Sequence, residues 1–168
     1  MEQSRMDITG FSVETLLFAA MKSEIESEEV YSSLAHRVKN AILADRLRFL
    51  AGEEDKHRTI LESIFRHQYP GKSVELPPET PVPLPQLSIT DELAPLTDIF
   101  KRAMEAEQAA RHFYSSLSER MESDALRETL RYLSEMEMSH YQILDMERSH
   151  LERFEEMDEH IPFIHEGP

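Results

Sequence analysis

Cysteine is absent from this chain of 168 residues. Its absence excludes disulfides, zinc ribbons, iron–sulfur clusters and thiol catalysis within the chain. Glycine is scarce, with four residues, and β-branched residues are sparse, whereas the helix formers Ala, Leu, Met, Glu and Arg are plentiful. The composition therefore predicts an all-α fold, and the length suits a single domain over residues 1–168.

Long apolar runs are missing too. No stretch approaches the roughly 20 apolar residues that a membrane helix needs, and the polar segment 1–11 has no signal-peptide core. We therefore expect no membrane partner and a cytoplasmic location. Positive charge is in the minority, and the net charge is −15. Because such a surface repels phosphate backbones, we expect no nucleic-acid partner.

Prolines are concentrated in the segment 69–95, which separates two halves of similar sequence. Proline disfavours helix and favours an extended chain in such a segment. Adding 83 to a position in the first half gives a similar residue in the second half, without a gap. This indicates a duplicated helical hairpin. Matching pairs include Leu17 and Phe100, Leu50 and Leu133, and Leu61 and Leu144.

Each half predicts two antiparallel helices joined by a short break. We expect helices over about 13–38, 41–67, 96–121 and 124–157, with Ser12 and Asn40 as the first two N-caps. The hairpins then span about 12–67 and 95–157. The proline-rich segment can run back along a helix of roughly 37 Å. The prediction is an antiparallel four-helix bundle with a long crossover between helices 2 and 3.

Polar residues interrupt the apolar face of every predicted helix. Two helices carry Glu-x-x-His, a spacing that places both side chains on one face, and the other two carry a single Glu. Four carboxylates in an apolar layer are costly unless cations neutralise them, and two divalent ions balance their charge. This constellation is typical of di-iron and di-manganese bundles. The predicted metal ligands are Glu24, Glu54, His57, Glu107, Glu137 and His140.

This pattern resembles the rubrerythrin-like branch of the ferritin-like superfamily over about residues 12–151. Glu24-x6-Tyr31 and Glu54-x-x-His57 carry the resemblance in the first half. Glu107-x6-Tyr114 and Glu137-x-x-His140 carry it in the second half. The resemblance implies a ferritin-like bundle with two iron ions as cofactors, although the ligand types also accept manganese.

The resemblance also assigns roles to individual residues. It implies that Glu54 and Glu137 bridge the two irons, that each histidine binds one iron, and that the remaining two glutamates are terminal ligands. Tyr31 and Tyr114 would orient ligand carboxylates and so support catalysis. The alternative for each tyrosine is a core aromatic residue whose hydroxyl reaches a polar layer.

Two departures from rubrerythrin bear on activity. Rubrerythrin has a rubredoxin domain with cysteine-bound iron, which this chain cannot contain, so electrons must come from a separate donor such as a rubredoxin-type protein. Rubrerythrin also has an additional Glu on its third helix where this chain has Ala110, which places the peroxidase cycle in question. We expect a homo-oligomer, with a dimer favoured.

Three functions remain open from the sequence. The first is a di-iron oxidoreductase that reacts with hydrogen peroxide or dioxygen in oxidative-stress defence. The second is a ferroxidase or iron storage or delivery protein, and the third is a non-catalytic binding module stabilised by metal. Glu147-x-x-His150 also matches the short motif, but we expect no second site because the matching positions 64 and 67 include no carboxylate. The histidines of the C-terminal tail, His160 and His165, have no assigned role.

Overall fold

The computed structural model describes residues 6–85, 87 and 94–160, without the side chains of 154–160. Its four helices are α1 (Val13–Arg37), α2 (Ala41–Gln68), α3 (Leu96–Ser118) and α4 (Asp124–His160). No strand occurs within these ranges, so the predicted all-α class is confirmed. None of the described helices has the long apolar stretch that crossing a membrane requires.

Side-chain caps fix the starts of α1 and α2, as the sequence predicts. Ser12 Oγ accepts a hydrogen bond of 3.1 Å from the backbone N–H of Thr15. Asn40 Oδ1 accepts two, of 3.0 and 3.1 Å, from the N–H groups of Ile42 and Leu43. These bonds satisfy donors that have no partner inside the helix, and therefore stabilise the helix starts.

The ends of α3 and α4 differ slightly from the predicted boundaries. Helix α3 ends at Ser118, three residues before the predicted position 121. There the chain tightens into a turn in which the Met121 N–H donates to the Ser118 carbonyl over 3.2 Å. Helix α4 continues to His160, slightly beyond the predicted end near 157. His165 lies outside the described residues.

Short connections pair α1 with α2 and α3 with α4 as antiparallel hairpins, and the two hairpins meet through α1 with α3 and α2 with α4. The order around the bundle is therefore α1, α2, α4, α3. Arg46 on α2 and Glu147 on α4 approach within 3.8 Å and link the hairpins.

The segment between α2 and α3 is a crossover that lies against the bundle. It leaves α2 through Gly71, whose φ of 85° is readily available only to glycine. Lys22 on α1 donates to the backbone carbonyls of Pro77 and Pro78. Val82 is buried at one end of the bundle and Leu87 at the other. The crossover thus runs along the bundle, and the predicted ferritin-like topology is confirmed.

A polar layer divides the core into two apolar clusters. Along each helix, residues of one cluster are followed by polar residues and then by residues of the other cluster. The first cluster includes Leu16, Leu17, Phe65, Phe113 and Leu130. The second includes Leu34, Leu47, Leu50, Phe100 and Leu144. The apolar clusters fix the helix register on both sides, and so hold the polar layer at the middle of the bundle.

Candidate metal centre

All six predicted metal ligands meet in the polar layer. They come from all four helices, because the apolar stripe of each helix must face the bundle axis and these residues interrupt that stripe. Each residue is at most 3% exposed. The six are Glu24, Glu54, His57, Glu107, Glu137 and His140.

Two of the carboxylates lie between the imidazoles. Glu54 places Oε2 at 3.4 Å from His57 Nδ1 and Oε1 at 3.2 Å from His140 Nδ1. Glu137 places Oε1 at 3.0 Å from His57 Nδ1 and Oε2 at 3.2 Å from His140 Nδ1. Each carboxylate therefore offers one oxygen to each half of the centre, an arrangement suited to bridging two ions.

The other two carboxylates lie at the ends of the centre. Glu24 Oε2 is 3.8 Å from His57 Nδ1, and Glu107 Oε2 is 3.8 Å from His140 Nδ1. The imidazole rings of the two histidines stack with centroids 5.1 Å apart and 15° between their planes. The centre thus has two equivalent halves, each with one histidine, one terminal carboxylate and a share of two central carboxylates.

The two buried tyrosines connect the sequence repeats across the centre. Tyr31 donates its hydroxyl hydrogen to Glu107, and Tyr114 donates to Glu24. Each tyrosine therefore holds the terminal carboxylate of the opposite repeat. Burial, together with the negative charge of the contacted glutamate, raises the pKa of both phenols well above the usual value. The hydroxyls stay protonated at neutral pH and act as donors.

The central polar atoms have no hydrogen-bond partners among the described residues. This holds for both carboxylate oxygens of Glu54, Oε1 of Glu137, and both ring nitrogens of His57 and His140. Buried polar atoms are almost always satisfied, and oxygen and imidazole nitrogen are ligands of divalent ions such as iron and manganese. The donor set therefore fits two divalent ions.

Residues 15–148 match the Rubrerythrin family. The chain belongs to the rubrerythrin family. A solved structure of a hypothetical protein from Pyrococcus furiosus is 34% identical, with a TM-score of 0.76, and the match covers 88% of this chain and 95% of that one. No curated protein matches the chain. Family membership and the buried Glu/His cluster together support a di-metal carboxylate protein.

Without bound metal, this rubrerythrin centre must hold protons. Burial opposes a charged imidazole, but the adjacent carboxylates of Glu137 and Glu54 outweigh it and raise the pKa of His57 to about 11. The pKa of His140 is also raised, because the adjacent carboxylates of Glu107 and Glu137 outweigh its burial. Burial and the negative charge of Glu24 raise the pKa of Glu137 to about 7. Divalent ions would replace these protons.

The second Glu-x-x-His motif lies away from the rubrerythrin centre. Glu147 faces Arg46 at 3.8 Å, and its distance to His150 Nδ1 is 3.7 Å. His150 is exposed. Because an arginine already balances the carboxylate, the arrangement does not assemble a ligand set.

A group of residues beside the centre was not predicted from the sequence. A cavity of about 170 Å³ between α3 and α4 is lined by Gln108, Arg111, Met138 and Tyr141, and by the central carboxylate Glu137. The sequence signal that could have identified them is their position next to predicted ligands. Three of them directly follow a predicted ligand, namely residues 108, 138 and 141.

Proposed function

We propose that this rubrerythrin-family chain is a di-iron oxidoreductase that reduces hydrogen peroxide, with dioxygen as an alternative oxidant. The observation that carries the proposal is the pair of central carboxylates, each with one oxygen directed to each histidine. A donor set that fits two ions suits a two-electron reaction, since each bound ion would supply one electron.

The balance of the reaction is simple. One hydrogen peroxide takes two electrons and two protons and yields two waters. The six ligands would hold two ferrous ions as the source of these electrons, and two further electrons would be needed to reduce the centre again. Because the chain has no cysteine, those electrons come from a separate protein donor, such as one of the rubredoxin type.

The protein's own part is to hold the ligands in place and to shield the centre along the bundle axis. Tyr31 and Tyr114 orient the terminal carboxylates through their hydroxyl groups. The two apolar clusters exclude water from above and below the polar layer. A low-polarity surrounding strengthens the interaction between the carboxylates and any bound cation. Such orientation by neighbouring hydrogen bonds tunes metal sites in general.

The proposal can be tested with protein loaded with ferrous ion in the absence of oxygen. We expect peroxide to reoxidise the bound iron much faster than it oxidises free ferrous ion, measured by stopped-flow absorbance. Glu137→Gln should remove this advantage. The matched control is Glu147→Gln, which alters the other Glu-x-x-His motif of the same helix and should leave the rate unchanged. Reoxidation no faster than that of free ferrous ion would refute the proposal.

A further inference from the structure

The cavity between α3 and α4 reaches a residue of the buried centre. Glu137 lines it although this residue is only 1% exposed. Glu137 is therefore the innermost residue of the lining, and the other lining residues are half-buried or exposed. Its volume of about 170 Å³ is well above the ~10–15 Å³ that one water molecule needs. A small molecule can therefore approach the centre from this side.

The lining of the cavity contains one cationic side chain. The guanidinium of Arg111 contacts Met138 Sδ at 3.3 Å, and no described carboxylate lies within ion-pair distance of it. Gln108 is exposed at the mouth. In a chain with a net charge of −15, a cation here offsets the repulsion that a small anion would meet on approach.

The equivalent face of the first repeat is built differently. Subtracting 83 from the cavity positions gives Ile25 for Gln108, Glu28 for Arg111 and Arg58 for Tyr141. Arg58 is held in ion pairs with Asp55, at 2.7 Å, and with Glu62. The ligands are duplicated, whereas their surroundings are not, so the two faces of the centre differ in polarity and charge.

We propose that the cavity between α3 and α4 is the entrance to the metal centre for small oxygen and nitrogen species, peroxide and azide among them, and that Gln108 and Arg111 control passage. The inference rests on the proposed function for its physiological ligand. The route itself is a property of this face of the bundle, and a ligand that undergoes no reaction can probe it.

Azide binding to the cobalt-loaded protein provides that probe, because the visible absorption of bound Co²⁺ changes when azide coordinates. Gln108→Trp should fill the mouth of the cavity and slow azide association by about tenfold or more. The dissociation constant should change less, because a narrower opening slows association and dissociation alike. The matched control, Ile25→Trp on the α1–α2 face, should change the association rate by less than about twofold.

Arg111→Met tests the charge separately from the size of the opening. We expect azide association to slow by roughly threefold to tenfold and to become less sensitive to salt, because the attraction of an anion to the guanidinium is lost. Circular dichroism should show unchanged helix content in every variant. If a tryptophan at position 25 damages folding, Glu29→Trp, at an exposed position on α1, provides a second control.

The outcomes separate this inference from the proposed function. Azide association that is slowed by Gln108→Trp and not by the control supports the entrance, even if peroxide fails to reoxidise the iron-loaded protein. Conversely, fast peroxide reoxidation together with equal azide rates in the wild type and Gln108→Trp would overturn the entrance and leave the reaction intact. Equal slowing by both tryptophan variants would also overturn it.

Discussion

Replacing both central carboxylates, Glu54→Met with Glu137→Met, should make the metal-free protein more stable. In the metal-free centre four carboxylates face two imidazoles. The raised pKa of His57, about 11, keeps that imidazole positively charged at neutral pH, and the pKa of His140 is raised as well. Two negative charges remain in excess, or their carboxyl groups must bind protons. Removing two carboxylates leaves two carboxylates and two imidazoles, so the metal-free centre becomes neutral with two bound protons in place of four.

The size of the effect follows from the burial of the two side chains. Glu54 and Glu137 are each 1% exposed, so the protein gains almost no solvation from them. Replacement of buried ionic groups by apolar residues of similar volume is neutral or stabilises by about 1–4 kcal/mol. For a chain of this length, each kcal/mol should raise the melting temperature by roughly 2–4 °C.

The assay is urea unfolding, followed by circular dichroism, in the presence of a chelator and again with excess metal. With ligand at 100 times its dissociation constant the wild type should gain about 2.7 kcal/mol in the free energy of unfolding. The double variant should gain nothing, because both shared ligands are missing. Glu135→Met, at an exposed position on α4, is the control and should behave as the wild type under both conditions.

One result would refute this reasoning. If the double variant in chelator is less stable than the wild type by more than about 1 kcal/mol, the central carboxylates stabilise the bundle by themselves. The polar layer would then be a structural ion-pair network, and its capacity for metal would not explain its burial.

Three further predictions concern the same chain. Tyr114→Phe removes the hydrogen bond to Glu24 and should weaken metal binding about 10–100-fold in a chelator competition; unchanged affinity would show that the hydroxyl does not orient the ligand. Metal binding should release protons, because His57, with its pKa of about 11, must lose a proton to bind, and the metal affinity should therefore rise with pH below that value. Calorimetry in buffers of different ionisation enthalpy measures the number of protons released. Binding without proton release would contradict the positive charge assigned to His57. Gly71→Ala should cost about 1 kcal/mol in urea unfolding, because the φ of 85° strains a side-chain residue; an unchanged midpoint would show that the turn relaxes.

Much of the fold could be predicted because local rules and tertiary structure agree along this chain. Ser12 and Asn40 are strong capping residues, and both act as caps in the structure. The gap-free repeat fixed the register of the second hairpin from the first. The end of α3 was less predictable, since no residue between 118 and 123 forbids helix and the turn there depends on backbone hydrogen bonds.

The position of the six polar residues in one layer could also be predicted, because each interrupts an apolar stripe that must face the bundle axis. The partner of each tyrosine could not. Tyr31 follows Glu24 on the same helix, yet its hydroxyl contacts Glu107 of the other repeat. The way in which the two hairpins pack against each other determines which carboxylate each hydroxyl contacts.

The crossed tyrosine contacts have a consequence for how the two halves depend on each other. Neither hairpin contains a whole ion-binding half, because Tyr31 serves Glu107 while Tyr114 serves Glu24. A peptide corresponding to residues 12–68 alone would have a carboxylate without its phenol and a phenol without its carboxylate. Two such peptides could supply both only by associating as a symmetric pair. Metal binding therefore shows whether the two hairpins have docked, since it requires both of them to be in place.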